Sequence, residues 1–373
     1  MTVRVVYVVA QDVRWPAFEW IAEALDRGLF ELSFLLLGEG DLPLASHLRE
    51  LGVPVSQIPY RSERDVVRCT LAIHRYCRAV RADVVHTHFP PAHLAGLAGA
   101  WLAGVRVRIQ TRHHSTFLHV HDPGAVFYDR LFNRLSTRIV APSEVVRRVL
   151  VEREGVDPAR VAVIRHGLDL ARFAQVPRHE VEELARRYIP PGAGPVIGVV
   201  ARHLACKGVQ HVIPAFRRLR ETWPSAFLVL ANARGPDRES IRSGLSALPP
   251  GSSVEIPFEE NVFALYRLFD LFVHVPVDPE IEAFGLVYVE ALSAGVPSVV
   301  TLSGIGSEIF RHGVNAWVVE PGSSDAVHAG LVRLLGDPEL RASLIHEGAK
   351  TAAGFSLRRM IGELQDLYLS STC

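Results

Sequence analysis

Short runs of β-branched and aliphatic residues alternate with amphipathic stretches along most of the chain. Six runs in the first half are predicted to be strands: Val3–Val9, Leu32–Leu37, Asp83–His86, Val105–Gln110, Arg138–Ala141 and Val161–Arg165. Pro16 suits the first turn of a helix that ends near Gly28. Because the strands are apolar almost throughout and alternate with helices, they indicate a parallel sheet covered on both faces.

The same alternation resumes after Tyr188–Pro195, a segment whose three prolines and two glycines are typical of a linker. Six further runs are predicted to be strands: Val196–Ala201, Phe227–Ala231, Val254–Pro257, Leu271–Val275, Pro297–Thr301 and Ala316–Val319. The pattern predicts an α/β protein with two doubly wound, Rossmann-like domains, over residues 1–175 and 188–355. Ligands of such sheets bind beyond the carboxyl ends of the strands, and two facing domains would place a cleft between them.

The last stretch, residues 356–373, carries apolar residues at helical spacing. These residues are Leu357, Met360, Ile361, Leu364, Leu367 and Tyr368. A helix with such a face must dock on a core. It either closes the C-terminal domain or packs back on the N-terminal one, and the second arrangement is the one we expect.

Composition supports a packed protein and excludes several classes. The chain has 373 residues, 49% of them apolar, and its 40 Lys and Arg balance its 40 Asp and Glu. This length favours two domains, and this composition excludes a disordered or fibrous chain. Residues 61–172 carry 18 cations and 10 anions, an excess of eight positive charges. That bias is too weak for nucleic-acid binding, and no nucleic-acid-binding module is recognisable.

Lysine is rare: 38 of the 40 cations are arginines, and only Lys207 and Lys350 are lysines. The four cysteines form no CxxC pair, which suits a reducing compartment. The chain begins without a signal-peptide pattern, and no apolar run reaches the ~20 residues that span a bilayer. We therefore expect a cytoplasmic protein that either stays free or contacts the inner face of the membrane.

The segment Glu282–Pro297 is the strongest candidate for chemistry. It predicts a helix that starts near Gly285 and ends at Gly295, with Glu282 in the entry loop and Glu290 inside. The backbone N–H groups of its first turn suit a phosphate, and carboxylates accept hydrogen bonds from sugar hydroxyls. The first-turn residues are Phe284, Gly285, Leu286 and Val287. The alternative is a capping glutamate followed by a core glutamate that has found a partner.

A second candidate is the loop after the strand that ends at Ala201. Arg202 and Lys207 both lie in this loop, before a helix. Two cations at the carboxyl end of a strand suit a diphosphate. The alternative is a solvated turn. No P-loop surrounds Gly208, so ATP hydrolysis is not indicated.

Taken together, these segments resemble the retaining glycosyltransferases of family 4, which have the GT-B fold, and the resemblance covers nearly the whole chain. The matching motifs, in chain order, are Val85–His88 (VHTH), Thr111-Arg112-His113, Ala141-Pro142-Ser143, the His-Gly-Leu-Asp of 166–169, Arg202 with Lys207-Gly208, and the Glu-x7-Glu of Glu282 and Glu290. Each motif alone is of moderate specificity, whereas the ordered set is highly specific.

The resemblance implies transfer of a sugar, with retention, from a nucleotide diphosphate sugar to a hydroxyl of a glycan, lipid-linked or small-molecule acceptor. A UDP-sugar is expected first and a GDP-sugar second, with no metal and no cofactor. Arg202 and Lys207 would neutralise the leaving diphosphate, Glu282 would hold sugar hydroxyls and Glu290 the ribose.

The resemblance also assigns roles outside the two segments. His113 would contact the transferred sugar or the acceptor near the reaction centre. Asn232 and Pro257, which follow or end two strands of the C-terminal domain, would complete the nucleotide site.

Three stretches depart from the family pattern. Gln11–Phe18 has no glycine and carries Arg14 and Trp15, while Asn232–Pro236 and Gly304–Glu308 replace glycine-rich turns. These changes leave the acceptor and the base open more than the fold.

Other interpretations remain open. His113 and Arg112 could form a surface basic cluster, and the histidines of VHTH could bind a metal. A helix over Arg64–Val80 predicts a cationic side that is either an ordinary solvated face or a contact for an anionic membrane or an acidic acceptor; its arginines are Arg64, Arg68, Arg75 and Arg78. The alternative activities are a sugar-nucleotide 2-epimerase of the same fold and a non-catalytic sugar-nucleotide-binding protein.

Overall fold

The computed structural model describes residues 2–10 and 16–372. Arg14 and Trp15 lie outside the described residues. The chain divides into two compact units. The first contains the residues up to Gly167 together with the segment that begins at Leu357, and the second is Leu168–Ser356.

The first unit is built on a parallel sheet of seven described strands in the order β3-β2-β1-β4-β5-β6-β7. The strands are β1 (Val3–Val9), β2 (Phe30–Leu37), β3 (Val55–Ile58), β4 (Val84–His88), β5 (Val107–Thr111), β6 (Arg138–Ala141) and β7 (Val161–Val163). Its helices are α1 (Pro16–Ala24), α2 (Pro43–Glu50), α3 (Val66–Val80), α4 (Pro90–Leu102), α5 (Phe117–His121), α6 (Val126–Leu135) and α7 (Glu144–Arg148). Separate apolar clusters lie on the two sides of this sheet, because successive strand residues face opposite ways.

The second unit has a parallel sheet of six described strands in the order β10-β9-β8-β11-β12-β13. The strands are β8 (Val196–Val200), β9 (Phe227–Ala231), β10 (Ser253–Ile256), β11 (Leu271–His274), β12 (Ser298–Val300) and β13 (Trp317–Val318). Its helices are α8 (Leu170–Ala174), α9 (Arg178–Tyr188), α10 (Val209–Thr222), α11 (Arg238–Leu245), α12 (Val262–Tyr266), α13 (Leu286–Ser293), α14 (Gly306–Ile309), α15 (Ser324–Gly336) and α16 (Pro338–Ala352).

The predicted α/β class and the two parallel sheets are confirmed, and each predicted strand overlaps an observed one. The strand β3 was not predicted. Its sequence, VSQI, is short and only its last residue is fully buried, because it forms the edge of the sheet. It therefore lacks the apolar run that distinguishes the central strands.

The boundary between the units differs from the predicted one. It falls at Gly167–Leu168, so that α8, α9 and Tyr188–Pro195 all belong to the second unit. Two side-chain hydrogen bonds attach α9 there: Asn261 donates to Glu180 at 2.6 Å, and Tyr188 donates to Glu259 at 2.7 Å. The proline-rich segment is thus a loop within one unit, not a linker between two.

The final helix, α17 (Leu357–Thr372), belongs to the first unit. Its buried residues are Met360, Ile361, Leu364 and Tyr368. The Tyr368 hydroxyl lies 2.5 Å from that of Tyr7 on β1 and 2.7 Å from Nδ1 of His86 on β4. The last helix therefore completes the core around the first strand.

The helix α3 carries the predicted cationic face. Cys69, Ile73 and Cys77 are buried, and the four arginines predicted for the opposite side are exposed. None of the helices in the described ranges combines the length and apolarity needed to cross a membrane.

Candidate active site

Charged and polar side chains collect at the carboxyl ends of the strands in the second unit. Lys207 follows β8, His274 ends β11, and Glu282 lies in the loop between β11 and α13. Lys207 Nζ donates to Glu282 Oε1 at 2.6 Å, and His274 Nε2 lies 2.9 Å from the same oxygen. The structure thus brings Lys207 and Glu282, which are 75 residues apart, into direct contact.

Glu282 is a buried carboxylate that is held ionised. Burial by itself raises its pKa, but the positive charge of Lys207 and the hydrogen bond from His274 outweigh that effect and lower the pKa to about 2. A buried charge of this kind needs such partners. The carboxylate is therefore a permanent hydrogen-bond acceptor at neutral pH.

Two glycines allow this close packing. Gly208 has φ = 75°, and a Cβ there would lie 1.8 Å from the Val275 carbonyl oxygen. Gly304 has φ = 53°, and a Cβ there would lie 2.7 Å from Cβ of Glu282. Any side chain at either position would displace the Lys207 loop from β11 or push Glu282 out of place.

The helix α13 begins where the sequence predicts, with Gly285 in the left-handed conformation as its N-cap. The N–H groups of Leu286 and Val287, in the first turn, have no i−4 carbonyl partner within the helix, and they follow the Glu282 loop in the chain. The side chain of Phe284 is buried against Phe355, with ring centroids 6.0 Å apart. Phe284 is thus a packing residue as well as part of the turn.

Glu290, one turn further along α13, has a partner. The Tyr266 hydroxyl donates to Glu290 Oε2 at 2.8 Å. Burial raises the pKa of Glu290 to about 7, and the hydrogen bond from Tyr266 opposes that rise without cancelling it. Glu282 and Glu290 therefore differ: the partners of Glu282 lower its pKa, whereas burial raises the pKa of Glu290.

Arg202 is exposed on the loop after β8, and this loop is anchored to the one after β9. The His203 N–H donates to the Arg234 carbonyl at 2.8 Å, and the Ala205 N–H donates to Asp237 at 2.7 Å. Asn232 has φ = 58°. Asparagine is one of the few non-glycine residues that adopt this left-handed conformation readily.

Pro257 follows β10 and takes part in the same edge. Its carbonyl oxygen accepts a hydrogen bond from Arg234 Nε at 2.7 Å, and the guanidinium of Arg234 lies over the Phe258 ring at 5.1 Å. Asn232 and Pro257 are thus connected through Arg234, as expected for neighbours on one rim.

The predicted His113 lies in the first unit, within a cluster of histidines at the corresponding end of that sheet. His113 Nε2 lies 3.1 Å from His88 Nδ1, and its ring stacks on those of Phe89 and His166. Burial lowers the pKa of each histidine of the cluster, to about 3 for His86 and about 4 for His166. The cluster lines a cavity of about 30 Å³ and is neutral at physiological pH.

Arg112 does not form a surface basic cluster with His113; that alternative is wrong. Only 2% of the Arg112 side chain is exposed, and its guanidinium bonds Asp129 and Glu154, each at 2.6 Å. Both carboxylates are buried as well, so the charge is neutralised inside the unit. This arrangement could not be predicted from the sequence, because the two acidic residues follow Arg112 by 17 and 42 positions.

The VHTH histidines are hydrogen-bonded. His86 uses both ring nitrogens, toward Tyr368 and toward Thr111 Oγ1 at 2.8 Å. Within residues 2–10 and 16–372, no three His, Cys, Asp or Glu side chains are grouped as a metal site requires.

His274 and Tyr266 were not among the predicted site residues. His274 is the last residue of β11, as His88 is of β4 in the first unit, and a histidine near the carboxyl end of a predicted strand was the available signal. Tyr266 gave no signal, because it resembles any core aromatic on a short helix.

Known proteins match both halves of the chain. The family model described as Glycosyl transferases group 1 matches residues 180–351, and that of Glycosyltransferase Family 4 matches residues 20–172. A D-inositol 3-phosphate glycosyltransferase from Salinispora arenicola is 31% identical over 319 residues, which are 77% of this chain and 68% of that protein. Its counterpart from Salinispora tropica is 30% identical over 326 residues, which are 78% of this chain and 65% of that protein.

The fold is also shared with solved structures. Alr3699/HepE of Anabaena, solved with UDP and glucose, superposes with a TM-score of 0.84 at 17% identity, over 99% of this chain and 100% of that one. A similarity at this level of identity shows the fold, which is GT-B. Together with the family matches, it establishes that the chain belongs to glycosyltransferase family 4 and is a glycosyltransferase that uses nucleotide sugars.

Proposed function

We propose that this enzyme transfers a sugar from a UDP-sugar to a hydroxyl group of its acceptor, with retention of configuration and without a metal ion. The observation that carries the proposal is the contact of Lys207 and His274 with Glu282, in the loop that leads into α13. UDP is favoured over GDP because the structural neighbour from Anabaena was solved with UDP.

Each predicted residue has a task in this reaction. Lys207, Arg202 and the first-turn N–H groups of α13 take up the negative charge that develops on the leaving diphosphate. Glu282 accepts hydrogen bonds from hydroxyls of the transferred sugar. Glu290 accepts them from the ribose, which favours its ionised form.

Retention follows from attack on the face that the diphosphate leaves. The bond from the anomeric carbon to the phosphate oxygen breaks, the bond from that carbon to the acceptor oxygen forms, and the acceptor proton passes to the released phosphate oxygen. No protein nucleophile is needed. A divalent ion is not needed either, because the cationic side chains supply the stabilising charge.

The acceptor hydroxyl belongs to a glycan, a lipid-linked sugar or a small molecule. In the first unit, His113 and its neutral neighbours can exchange hydrogen bonds with hydroxyls without adding charge. For a lipid-linked acceptor, α3 offers a means of reaching the membrane, since Val67 is 70% and Leu71 46% exposed between its arginines. Co-sedimentation with anionic vesicles, lost on mutation of Arg75 and Arg78 to Glu, tests this contact.

A donor screen tests the activity. UDP-sugars, then GDP-sugars, are added to the protein, and a rise in Tm identifies the donor. Incubation with that donor, labelled in the sugar, should give slow hydrolysis alone and transfer in the presence of acceptors, with or without EDTA. Inversion at C2 would instead indicate an epimerase, and binding without turnover a non-catalytic protein. An inverted anomeric configuration in the product contradicts retention.

A further inference from the structure

The two oxygens of the Glu282 carboxylate are not equivalent. Oε1 receives both contacts, from Lys207 Nζ at 2.6 Å and from His274 Nε2 at 2.9 Å. No side-chain hydrogen bond to Oε2 occurs within the described part of the chain. One oxygen therefore holds the side chain in place, and the other is available for a ligand.

The contact with Glu282 determines the tautomer of His274. An ionised carboxylate only accepts hydrogen bonds, so Nε2 of His274 must carry the proton. His274 is 2% exposed, and burial lowers its pKa, so the ring is neutral and Nδ1 carries no proton. Nδ1 is buried and has no hydrogen-bond partner among the described residues. The ring thus makes one directional hydrogen bond, to Glu282.

His274 is held far more firmly than Lys207. It is the last residue of a central strand, and its ring packs edge-on to Tyr288 at 4.8 Å and stacked on Phe272 at 6.2 Å. Lys207 reaches Glu282 through a flexible chain that is 20% exposed. A negative ligand can therefore draw Lys207 away from Glu282 while His274 keeps its place.

We propose that His274 is a positioning residue that fixes Glu282, so that Oε2 is presented to the hydroxyls of the transferred sugar while Lys207 moves to the diphosphate. This inference rests on the proposed function. If it holds, the two parts of the UDP-sugar depend on different residues. His274 acts on recognition of the sugar, whereas the nucleotide and its diphosphate bind without His274. A residue needed only for folding would affect both halves alike.

Two variants test the separation. His274→Leu removes the N–H group that donates a hydrogen bond to Glu282. His274→Gln keeps an N–H group at a similar distance from the backbone. Binding of UDP and of the UDP-sugar is measured by calorimetry, together with kcat and KM. For His274→Leu we expect unchanged affinity for UDP, and affinity for the UDP-sugar and kcat/KM lower by about ten- to a hundredfold, the scale of a charged hydrogen bond. His274→Gln should restore most of the loss.

The double variant is the sharper control. Since His274 acts through Glu282, adding His274→Leu to Glu282→Gln should cost almost nothing further. Equal losses of UDP and UDP-sugar affinity, or additive losses in the double variant, would overturn the inference. If His274→Leu does not fold, His274→Gln and His274→Asn decide instead, because the shorter Asn cannot reach Glu282 and should be the impaired one. A wild-type protein that binds no nucleotide sugar contradicts the proposed function itself, whatever these variants do.

Discussion

The carboxyl ends of the two sheets are built in the same way, but one carries neutral histidines and the other carries charged side chains. In the first unit this edge carries the buried His86 and His88 and the partly buried His113, and burial lowers the pKa of all three. In the second it carries Lys207 and an ionised Glu282. The two edges therefore differ in charge, although both are built from parallel strands followed by loops.

The difference lies in where opposite charges are placed. Burial alone keeps an ionisable group neutral, as in the histidine cluster, unless a counter-charge is within contact. Glu282 has Lys207, so it stays charged. In the first unit the buried charges of Arg112, Asp129 and Glu154 neutralise one another, and these residues lie outside the histidine cluster. Two sheets of the same type can thus carry a neutral or a charged edge, depending on where a few charged side chains are placed.

The largest expected effect concerns that buried charge. Arg112→Ala leaves Asp129 and Glu154 buried without their cation, and should lower the free energy of unfolding by about 3–5 kcal/mol. Urea unfolding measures it. Arg75→Ala, which removes an exposed arginine from α3, is the control and should change little. Equal stability of the two variants would show that the buried charges do not support the first unit.

The next effect is a pH dependence of stability, to which buried histidines and Glu290 contribute with opposite sign. The pKa values of His86 and His166 in the folded protein, about 3 and about 4, lie below the ordinary 6.5. As the pH falls below 6.5 the unfolded chain takes up protons that the folded chain refuses. Each histidine should therefore cost the first unit about 1.4 kcal/mol of stability per pH unit.

Glu290 behaves in the opposite way. Its folded pKa of about 7 exceeds the ordinary 4.5, so the folded state binds more protons between those values. Its contribution is complete below pH 4.5 and is lost as the pH rises to 7. Urea unfolding of the wild type and of Glu290→Gln between pH 4.5 and 7.5 isolates this contribution, because the variant lacks the titrating carboxyl group and keeps every histidine. Identical pH profiles of the two proteins would contradict this assignment.

The smallest effect is on catalysis by the two lysines. Lys207→Ala should lower kcat/KM by an amount that corresponds to about 1–3 kcal/mol of lost transition-state stabilisation, since it removes a charged hydrogen bond. Lys207→Arg should also lose activity, because a planar guanidinium does not replace a compact ammonium that lies 2.6 Å from a carboxylate oxygen. Lys350 is 60% exposed on α16, and Lys350→Arg should be fully active. Equal activity of the two arginine variants would reduce Lys207 to an ordinary surface charge.

Most of the fold could be predicted from the sequence, because its information is local. Central strands such as β1 and β9 are continuous apolar runs, and α13 has a glycine at each end. The edge strand β3 could not, since its side chains are half exposed and its alternation is weak. The role of Tyr188–Pro195 was misjudged for another reason. Prolines and glycines mark any loop, and only the contacts of α9 place this loop inside a unit.

The site divides in the same way. Lys207 and Glu282 lie in recognisable motifs, so their presence at one edge follows from strand order. Partners that are brought in by tertiary contact do not. Tyr266 bonds Glu290 across 24 positions, and Arg112 bonds Glu154 across 42. A single sequence carries no record of such pairs, which is why the pKa values of these groups emerge only from the structure.

The return of α17 to the first unit has a consequence for synthesis on the ribosome. Tyr368, which packs against β1, is translated after every residue of the second unit. The first unit therefore cannot complete the core around β1 before Leu357–Thr372 has been synthesised. The domain whose synthesis begins first thus receives its last core helix only after the whole second unit has been synthesised, and until then β1 lacks that packing.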